Sequence, residues 1–518
     1  MHERLGLCTF AVSKIKSKTQ MNPTLSPVHE QRMTNYRWVI CAMLFFALVV
    51  NYLDRQVLSL TWKNFIAPEF HWTDADYGFL TGVFSIVYAV AMLLAGKLID
   101  KLGTRAGYVT AIVVWSTGAC LHCVCGILTC GIVTGDWIWS FAGSREHINQ
   151  VMLTTPALAM SVTTVSVWLF LVARIVLSLG EGGNFPCSIK AVAEYFPKKD
   201  RGFATGVFNS GSQIGALLAP FTIPTIARLY GWEMAFFIIG VLGYVWMGVW
   251  LLVYHSPRDN KYVNKAELAY IEQDNTEDAE LKHESLKEEI TENQTASVGI
   301  LKPFVFRQTW AVIVGRFLPD SVWWFLLFWA PAFVDEVYGY SSSSTEGMLA
   351  IFTIYFISMF SLAGSYLPTY FINRNKVNPY SGRMKAMFIF ALFPLLGFGV
   401  MPLGRLSMWY PVIIIGIIAA AHQSWSANVY NVVSDMFPKS VVATVTGAAG
   451  LASGLGSFTS NYGAGCLFTY AGETGMQFLG FEGKQAGYMI VFMLAGVAYM
   501  ISWVIMKVLV PRYKLVKL

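Results

Sequence analysis

The stretch RIVLSLGEGGNF, Arg174 to Phe185, places a positive and a negative charge inside an apolar run that begins near Val162. Arg174 and Glu181 are two helical turns apart, so both side chains point from the same face of a helix. A charge near the centre of a bilayer costs about 2.5–3.5 kcal/mol on insertion scales. Such a pair is retained where it faces a polar cavity and binds something. We therefore interpret Arg174 as an anion-binding residue and Glu181 as a proton carrier, with a buried structural ion pair as the alternative.

The composition of the whole chain agrees with a membrane location. Of 518 residues, 55% are hydrophobic and 13% are charged, whereas a soluble protein carries about 25% charged residues. The chain is therefore predicted to be a polytopic membrane protein surrounded by the lipid bilayer. We assign the net charge of +6 to loops that flank the membrane and not to nucleic-acid binding. The eight cysteines show no disulfide framework, and we expect no metal site and no cofactor.

Twelve apolar runs are long enough to span a bilayer. They lie near 38–60, 77–98, 106–130, 160–181, 202–226, 233–254, 307–331, 347–371, 384–403, 409–432, 442–467 and 486–510. The predicted fold is an all-α membrane protein with twelve transmembrane helices in two pseudo-symmetric six-helix bundles. Its predicted segments are an N-terminal extension (1–37), a first bundle (38–255), a linker (256–305), a second bundle (306–511) and a C-terminal tail (512–518).

Lysine and arginine alternate between the loops and so predict the orientation. One set of loops carries most of them, and the opposite set carries only a few. The first set includes Lys97, Lys101, Arg105, Lys190, Lys198, Lys199, Arg201, Arg374, Lys376, Arg383, Lys385 and Lys439. By the positive-inside rule this set is cytoplasmic, together with the extension, the linker, the tail and both termini.

The two halves of the chain repeat each other at an offset of 241 residues. Phe196-Pro197-Lys198 matches Phe437-Pro438-Lys439, and Thr205-Gly206 matches Thr446-Gly447. Internal repeats of this kind are typical of transporters whose binding site lies between the halves. The same offset takes Glu181 to His422. An intramembrane histidine is a functional candidate, and a histidine satisfied by a neighbouring hydroxyl is the alternative. If the glycine-rich fifth and eleventh runs meet, we expect close packing there.

The loop after the second run reads GKLIDKLGTRAGY, Gly96 to Tyr108. It resembles the signature loop of the major facilitator superfamily, G-x-L-x-D-[RK]-x-G-x-[RK]. The matching residues are Gly96, Asp100, Lys101, Gly103 and Arg105. The resemblance implies the major facilitator fold and a gating role for these residues, in which Asp100 and Arg105 belong to one charged cluster that helps to hold the outward-open state.

Further stretches narrow the resemblance. NYLDRQVLS, Asn51 to Ser59, together with the Arg174 stretch, resembles the anion:cation symporter family within that superfamily. RFLPDSVWWFLLFWAP, Arg316 to Pro331, with GWEMAFFIIG, resembles the hexuronate transporters of that family. These carry glucuronate and galacturonate with protons. The resemblance therefore implies a proton-coupled transporter of a small organic anion, in the bacterial inner membrane, and we expect a monomer.

The resemblance also implies roles for single residues. Asp54 and Glu181 would be the protonation sites, Arg174 would hold the substrate carboxylate, and Arg55 would balance the acids. We add His422 to the proton-coupling candidates. The remaining substrate-binding candidates are Tyr52, Tyr88, Asn209, Gln213, Trp323, Trp324, Gln423 and Asn428. We expect Asp320 to serve in capping or gating.

In the predicted mechanism, Glu181 and the substrate carboxylate compete for the guanidinium of Arg174. Protonation of Glu181 frees Arg174 from its intrahelical partner, and Arg174 then binds the sugar acid. The alternatives are a symporter of another organic acid (aldonate, glucarate or sialate) or a membrane sensor with the same fold. An enzyme is not expected, because the chain has no His-Glu-x-x-His, Gly-x-Ser-Gly or nucleotide-binding motif.

Overall fold

The computed structural model describes residues 32–273, 302–364 and 366–516, and these are almost entirely helical. Within those ranges the only strands are Gln477–Phe478 and Phe481–Glu482, a short antiparallel hairpin. The predicted extension (1–37), linker (256–305) and tail (512–518) lie partly outside the described residues. The boundaries of the predicted segments therefore stay predictions.

In the first half of the chain, the described residues form eight helices. They are α1 (Arg37–Thr61, continued by a π-helical turn, Trp62–Ile66), α2 (Ala67–Phe70), α3 (Asp74–Thr134), α4 (Phe141–Thr154), α5 (Ala159–Tyr195), α6 (Lys198–Tyr230), α7 (Trp232–Val253) and α8 (Lys265–Ile271). A 3-10 turn, Pro156–Leu158, precedes α5. Helix α3 bends at Gly103, whose φ of 77° lies in the left-handed region that glycine tolerates.

The second half forms nine helices within the described residues. They are α9 (Arg307–Tyr338), α10 (Thr345–Ser358), α11 (Ser361–Gly364), α12 (Leu367–Asn375), α13 (Pro379–Leu392), α14 (Val400–Gly404), α15 (Trp409–Met436), α16 (Lys439–Thr474) and α17 (Lys484–Leu509). Two 3-10 segments, Lys302–Val305 and Phe393–Gly399, precede α9 and α14.

The predicted apolar runs all fall on helices. Two of them share α3 on either side of Gly103, and run 347–371 is divided among α10, α11 and α12. Of the described helical segments, eight are long and apolar enough to cross a membrane. Helices α6 and α16 are not among them, because their glycine, serine and threonine residues lower the mean hydropathy. The all-helical membrane fold is therefore confirmed, while the count of twelve crossings and the location of the termini stay predictions.

Helix packing places a cavity between the two halves. In the first half α3 packs on α5 and α7, and α1 packs on α6; in the second half α9 packs on α16 and α17. The halves meet where α3 contacts α16 and where α6 contacts α10. The glycines of α6 and α16 do not face each other. A Cβ on Gly211 would lie 2.3 Å from the Phe45 carbonyl of α1, and a Cβ on Gly454 would lie 2.6 Å from Ala89 of α3.

The short helix α8 packs against the start of α1 and is linked to it by hydrogen bonds and an ion pair. Asn264 caps it by accepting a hydrogen bond from the backbone of Glu267 at 2.9 Å. Glu267 is fully buried and pairs with Arg37 at 3.1 Å. Its carboxylate also accepts hydrogen bonds from Thr34 and from the backbone of Tyr36. The contacts link the start of α1 to the segment that follows the first six apolar runs.

Candidate functional site

A cavity of about 1130 Å³ lies between the two halves. Helices α1, α3, α5 and α6 line it from one side, and α9, α15 and α16 line it from the other. Gly96, Asp100 and Lys190 belong to its wall, and the Asp100 side chain is 75% exposed. The cavity therefore opens on the side of the loop Gly96 to Tyr108.

The opposite end of the cavity is closed by aromatic rings from both halves. Trp62 stacks on Tyr77 with ring centres 4.0 Å apart, and Trp329 from α9 meets Tyr77 edge-on at 5.0 Å. The Tyr77 hydroxyl donates to the Phe328 carbonyl at 2.8 Å. Trp329 donates to the Asn461 side chain at 3.0 Å. These contacts join α1 and α3 to α9 and α16, so the halves touch at this end.

Beyond the aromatic rings lie four charges, which we call the ion-pair quartet: Lys63, Asp74, Glu336 and Lys484. Lys63 pairs with Asp74 at 3.2 Å and also contacts Glu336 across the halves. Lys484 pairs with Glu336 at 2.8 Å and also contacts Asp74 across the halves. The signs alternate around the ring, so each carboxylate is held by a lysine from each half.

Within the cavity wall Arg55 is the arginine that holds Glu181. The Glu181 Oε2 atom lies 2.6 Å from Arg55 Nη2 and 3.0 Å from Nε. The Arg55 guanidinium also lies over the rings of Tyr52 at 5.0 Å and Tyr88 at 4.7 Å. Trp324, from the other half, lies 5.3 Å away. The predicted intrahelical pair of Arg174 with Glu181 is therefore wrong in this conformation.

Arg174 and Asp54 lie behind the cavity wall. Arg174 is 1% exposed and Asp54 is fully buried. Within the described part of the chain, none of the Arg174 guanidinium nitrogens and neither Asp54 oxygen has a hydrogen-bond partner. Arg174 lies over the Phe84 ring at 5.3 Å. Arg55 therefore reaches the cavity, whereas Arg174 is covered.

Most of the other predicted substrate-binding residues, and the predicted proton-coupling residue His422, do line the cavity. They are Tyr52, Tyr88, Asn209, Trp323, Trp324, His422 and Gln423. Two predicted residues lie elsewhere. Gln213 accepts a hydrogen bond from Ser358 of α10 at 3.3 Å, and Asn428 donates to the Ser424 carbonyl of its own helix at 2.8 Å. Their side chains are held by protein contacts and not presented to the cavity.

A second charged group was missed by the sequence reasoning. Arg316 lines the cavity from α9 and pairs with Asp320 at 2.6 Å. His422 lies beside this pair, with Nε2 3.9 Å from an Asp320 oxygen. The spacing of four residues between Arg316 and Asp320, inside an apolar run, was the signal that could have identified the pair. Asp320 lies inside α9 and not at its start, so the predicted capping role is wrong, while the gating role stays a prediction.

His422 is contacted on one face of its ring and at one nitrogen. Trp323 stacks on it with ring centres 5.1 Å apart and an angle of 5°. The Nδ1 atom lies 2.8 Å from the Tyr499 hydroxyl. The hydroxyl contact agrees with the alternative of a satisfied histidine, while the Asp320 contact keeps a proton-carrying role open to test.

The signature loop forms two separate sets of contacts. Asp100 pairs with Lys190 of α5 at 3.0 Å. Arg105 instead donates to the Leu251 carbonyl at the end of α7. The single cluster of Asp100 and Arg105, which was predicted for the outward-open state, stays a prediction. Gly96 lies in the cavity wall, Gly103 supplies the bend, and Lys101 is exposed.

A partly buried carboxylate next to the loop, that of Glu194, contacts residues at the ends of three helices. Thr104 donates to Glu194 at 2.6 Å, and the Tyr254 hydroxyl donates to the other oxygen of the same carboxylate. Burial and the neighbouring Glu194 charge raise the pKa of Tyr254, so the phenol stays a hydrogen-bond donor. The loop is thereby fixed to the ends of α5 and α7.

The sequence matches the family model described as Major Facilitator Superfamily over residues 44–145 and 148–461. It is 27% identical to the hexuronate transporter of Escherichia coli (strain K12) over 428 residues, which cover 82% of this chain and 86% of that protein. It is also 27% identical to the galacturonate transporter of Dickeya chrysanthemi over 347 residues, covering 67% of this chain and 86% of the relative.

Solved structures show the same fold. A bacterial homologue of the human lysosomal transporter Spinster, in an inward-facing and occupied conformation, superposes with a TM-score of 0.63 at 17% identity, covering 92% of this chain and 97% of that one. A D-xylose-proton symporter superposes with a TM-score of 0.56 at 18% identity, covering 91% and 96%. At these identities the likeness is one of fold alone.

Proposed function

Because the chain belongs to the Major Facilitator Superfamily and is a membrane transporter, not an enzyme, we propose that it imports a sugar acid anion together with protons by alternating access. The proposed substrate is a hexuronate, glucuronate or galacturonate. The relatives named hexuronate transporter and galacturonate transporter support this choice. The proposed location is the bacterial inner membrane, with the transporter acting as a monomer.

The observation that carries the proposal is the contact of Arg55 with Glu181. Arg55 lines the cavity, and its carboxylate partner Glu181 is held at 2.6 Å. An arginine is the residue best suited to grip a carboxylate with two parallel hydrogen bonds. In this conformation Nε and Nη2 of Arg55 both donate to one oxygen of Glu181, Oε2. A substrate carboxylate therefore has to replace Glu181 on the same guanidinium.

A proton on Glu181 permits this replacement. The neutral acid holds Arg55 weakly, and the substrate carboxylate takes its place. On the side of higher pH Glu181 loses the proton, binds Arg55 again and displaces the substrate. The competition that the sequence predicts for Arg174 is thus assigned to Arg55. Asp54, a buried carboxylate beside this pair, is the second proposed protonation site.

Coupling to protons also solves a problem of charge. Moving one negative charge into a cell with a negative interior costs about 2.3 kcal/mol per 100 mV. One proton carried with each monoanion cancels that cost. The aromatic side chains Tyr88, Trp323 and Trp324 supply apolar faces that pack against the CH face of a sugar ring.

The proposal is tested by uptake of radiolabelled glucuronate and galacturonate into proteoliposomes. We expect an inward pH gradient, and not an inward sodium gradient, to drive accumulation. Gluconate, glucarate and sialate serve as competitors, so transport of one of these instead would keep the symport mechanism and replace the substrate. If no acid is transported under either gradient, the proposed function is wrong and the sensor alternative takes its place.

The Glu181→Gln variant tests the coupling step. We expect it to exchange labelled for unlabelled substrate across the membrane, since the neutral amide leaves Arg55 available, but not to accumulate substrate against a gradient. Glu473→Gln, an exposed site at the end of α16, is the control and should behave as wild type. Accumulation by Glu181→Gln would contradict the proposed competition.

A further inference from the structure

A second cavity lies apart from the one that contains the proposed substrate site. Its volume is about 1040 Å³, and its lining residues all lie between positions 102 and 272. It begins at the bend of α3 and is bordered by the ends of α5 and α7, the start of α6 and the segment that leads to α8. We call it the arginine cleft, because Arg105, Arg201 and Arg258 line it from three different elements.

Two of these arginines are held by backbone carbonyls. Arg105 donates to the Leu251 carbonyl near the end of α7. Arg201 donates from Nε to the Phe196 carbonyl and from Nη2 to the Ala193 carbonyl, both at 3.0 Å. The carbonyls are neutral acceptors at the ends of α5 and α7, so they position the two guanidiniums without cancelling their charge. Each guanidinium has five N–H donors, and these contacts use one from Arg105 and two from Arg201.

The two carboxylates of the arginine cleft already have partners. Glu194 accepts hydrogen bonds from Thr104 and Tyr254. Glu272 pairs with Arg258 at 2.6 Å. Three arginines and two carboxylates give the lining a net positive charge. A lining of this kind favours an anion that accepts several N–H bonds, and phosphate oxygens are well matched to the planar fork of arginine.

The other end of the arginine cleft is apolar. Ala106 is exposed on α3, Val109 follows it one turn further, and Leu251 of α7 is 38% exposed. The next residue, Leu252, is 77% exposed. Helices α3 and α7 are both long and apolar enough to cross a membrane. Because these side chains lie outside the central cavity, the surface that they form faces the acyl chains of the bilayer.

These features fit an amphiphilic ligand with a phosphate headgroup. The cleft lies beside the loop Gly96 to Tyr108, on the side that is predicted to be cytoplasmic, where basic pockets between spanning helices bind anionic headgroups. Inorganic phosphate would contact the arginines but not the apolar end. The volume also matches the upper part of the range for small-molecule sites, about 300–1000 Å³, and exceeds what a phosphate ion fills.

We propose that the arginine cleft binds an anionic phospholipid of the adjacent leaflet. Arg105 and Arg201 bind the headgroup phosphate, and Arg258 contacts the outer part of the headgroup. One acyl chain lies along Ala106 and Leu251. The bound lipid thus connects the bend of α3 with the start of α6 and the segment before α8. The site is separate from the central cavity, so the proposal does not depend on which acid the protein transports.

The test is native mass spectrometry of the purified full-length protein with defined ligands. Phosphatidylglycerol and phosphatidylcholine with identical acyl chains differ in net charge, while glycerol phosphate and inorganic phosphate carry the charge without the chains. We expect the first phosphatidylglycerol to bind wild type about 10-fold more tightly than phosphatidylcholine. Both soluble anions should bind more weakly than phosphatidylglycerol by about 100-fold, because they leave the apolar end uncovered.

Three variants locate the lipid. Arg105→Gln and Arg201→Gln should each weaken phosphatidylglycerol binding about 5-fold and leave phosphatidylcholine binding unchanged. Arg258→Gln should weaken it about 3-fold. The Arg258 side chain is 70% exposed, so this variant should fold even if Arg201→Gln does not. The matched control is Arg307→Gln, which removes an exposed arginine at the start of α9, outside the cleft, and should bind both lipids as wild type does.

Several results would overturn the proposal. Equal affinity of wild type for the two lipids would show that the charge of the cleft is not used. Unchanged phosphatidylglycerol binding in Arg105→Gln and Arg258→Gln, or the same loss in Arg307→Gln, would place the lipid elsewhere. Binding of glycerol phosphate or inorganic phosphate as tight as that of phosphatidylglycerol would assign the arginine cleft to a soluble anion.

Discussion

Neutralising Glu336 is expected to loosen the closed end of the cavity. Glu336 contacts Lys63 from the other half and Lys484 from its own. In a Glu336→Gln variant both lysines are left with Asp74 as their carboxylate, and one of the two ionic contacts between the halves is lost. The state that is closed at this end should therefore lose stability relative to the state that is open there.

The size of the effect follows from the burial of the quartet. The Lys63 and Lys484 side chains are 24% and 34% exposed, while Asp74 and Glu336 are 3% and 7% exposed. Exposed ion pairs contribute about 0.2–1 kcal/mol, and breaking a buried pair costs about 3–5 kcal/mol. For this intermediate burial we expect about 1–2 kcal/mol, after allowing for solvent screening. That corresponds to a change of about 5–30-fold in the ratio of closed to open molecules.

Distances between spin labels measure this ratio. Labels at His71→Cys and Glu346→Cys lie on exposed positions of the two halves near the quartet, in a background in which Cys8 and Cys466 are serine. We expect Glu336→Gln to add a longer-distance population. The variants Lys63→Gln and Glu336→Gln should be less than additive in combination, because they remove the same contact.

The control is Glu473→Gln, which neutralises an exposed carboxylate on α16. An unchanged distance distribution in Glu336→Gln would refute the assignment of the quartet to closure. So would an equal shift in the control, because the effect would then follow from net charge and not from the contact between the halves.

Two further outcomes are expected. Gly78→Ala should favour opening of the same end and slow transport, because its Cβ would lie 2.4 Å from the Asn461 carbonyl of α16. The control is Gly463→Ala, whose Cβ would meet nothing within 4 Å. It should leave the spin-label distances and the transport rate unchanged. Arg55→Lys should raise the KM for uptake at least 10-fold, since it removes the forked guanidinium that faces the cavity. Arg174→Lys should instead change mainly kcat or thermal stability. A larger KM effect from Arg174→Lys than from Arg55→Lys would contradict the assignment of Arg55.

The helical fold was predictable because it depends on local properties of the sequence. Each apolar run is long enough to cross a bilayer wherever it lies in the chain, and the loop Gly96 to Tyr108 is recognisable from its spacing. The repeat between the halves also located the site at their interface. The lengths of the helices were less predictable: α5 continues to Tyr195, well beyond the predicted end at 181, because its C-terminal turns are less apolar but still pack on α3.

The partner of Glu181 could not be predicted from its own helix. A spacing of seven residues puts Arg174 on the same face, but it also puts it about 10.5 Å away along the axis, which is too far for a direct ion pair. The partner that the fold provides, Arg55, is 126 residues away in the chain and reaches Glu181 across the contact of α1 with α5. Which side chains pair between helices depends on the rotation of each helix about its axis. That rotation cannot be predicted from the apolar run alone.

Arg316 shows a different limit of sequence reasoning. Its spacing from Asp320 is that of a pair on one helical face, but no role was predicted for Arg316. Two charges that neutralise each other within one helix are easily interpreted as structural. What makes the pair a functional candidate is its position in the wall of the cavity opposite Arg55, and that position depends on how the halves meet.

The charges around the cavity share one property, which is that each group is neutral as a whole. Arg55 is balanced by Glu181, Arg316 by Asp320, and the quartet has two charges of each sign. A bare anion that binds such a site leaves one uncompensated negative charge in a low-dielectric interior, which is strongly unfavourable. Binding together with a proton restores neutrality, because the displaced carboxylate takes up the proton. In the proposed mechanism, a substrate carboxylate replaces protonated Glu181 on Arg55, and the cavity stays neutral as the acid enters.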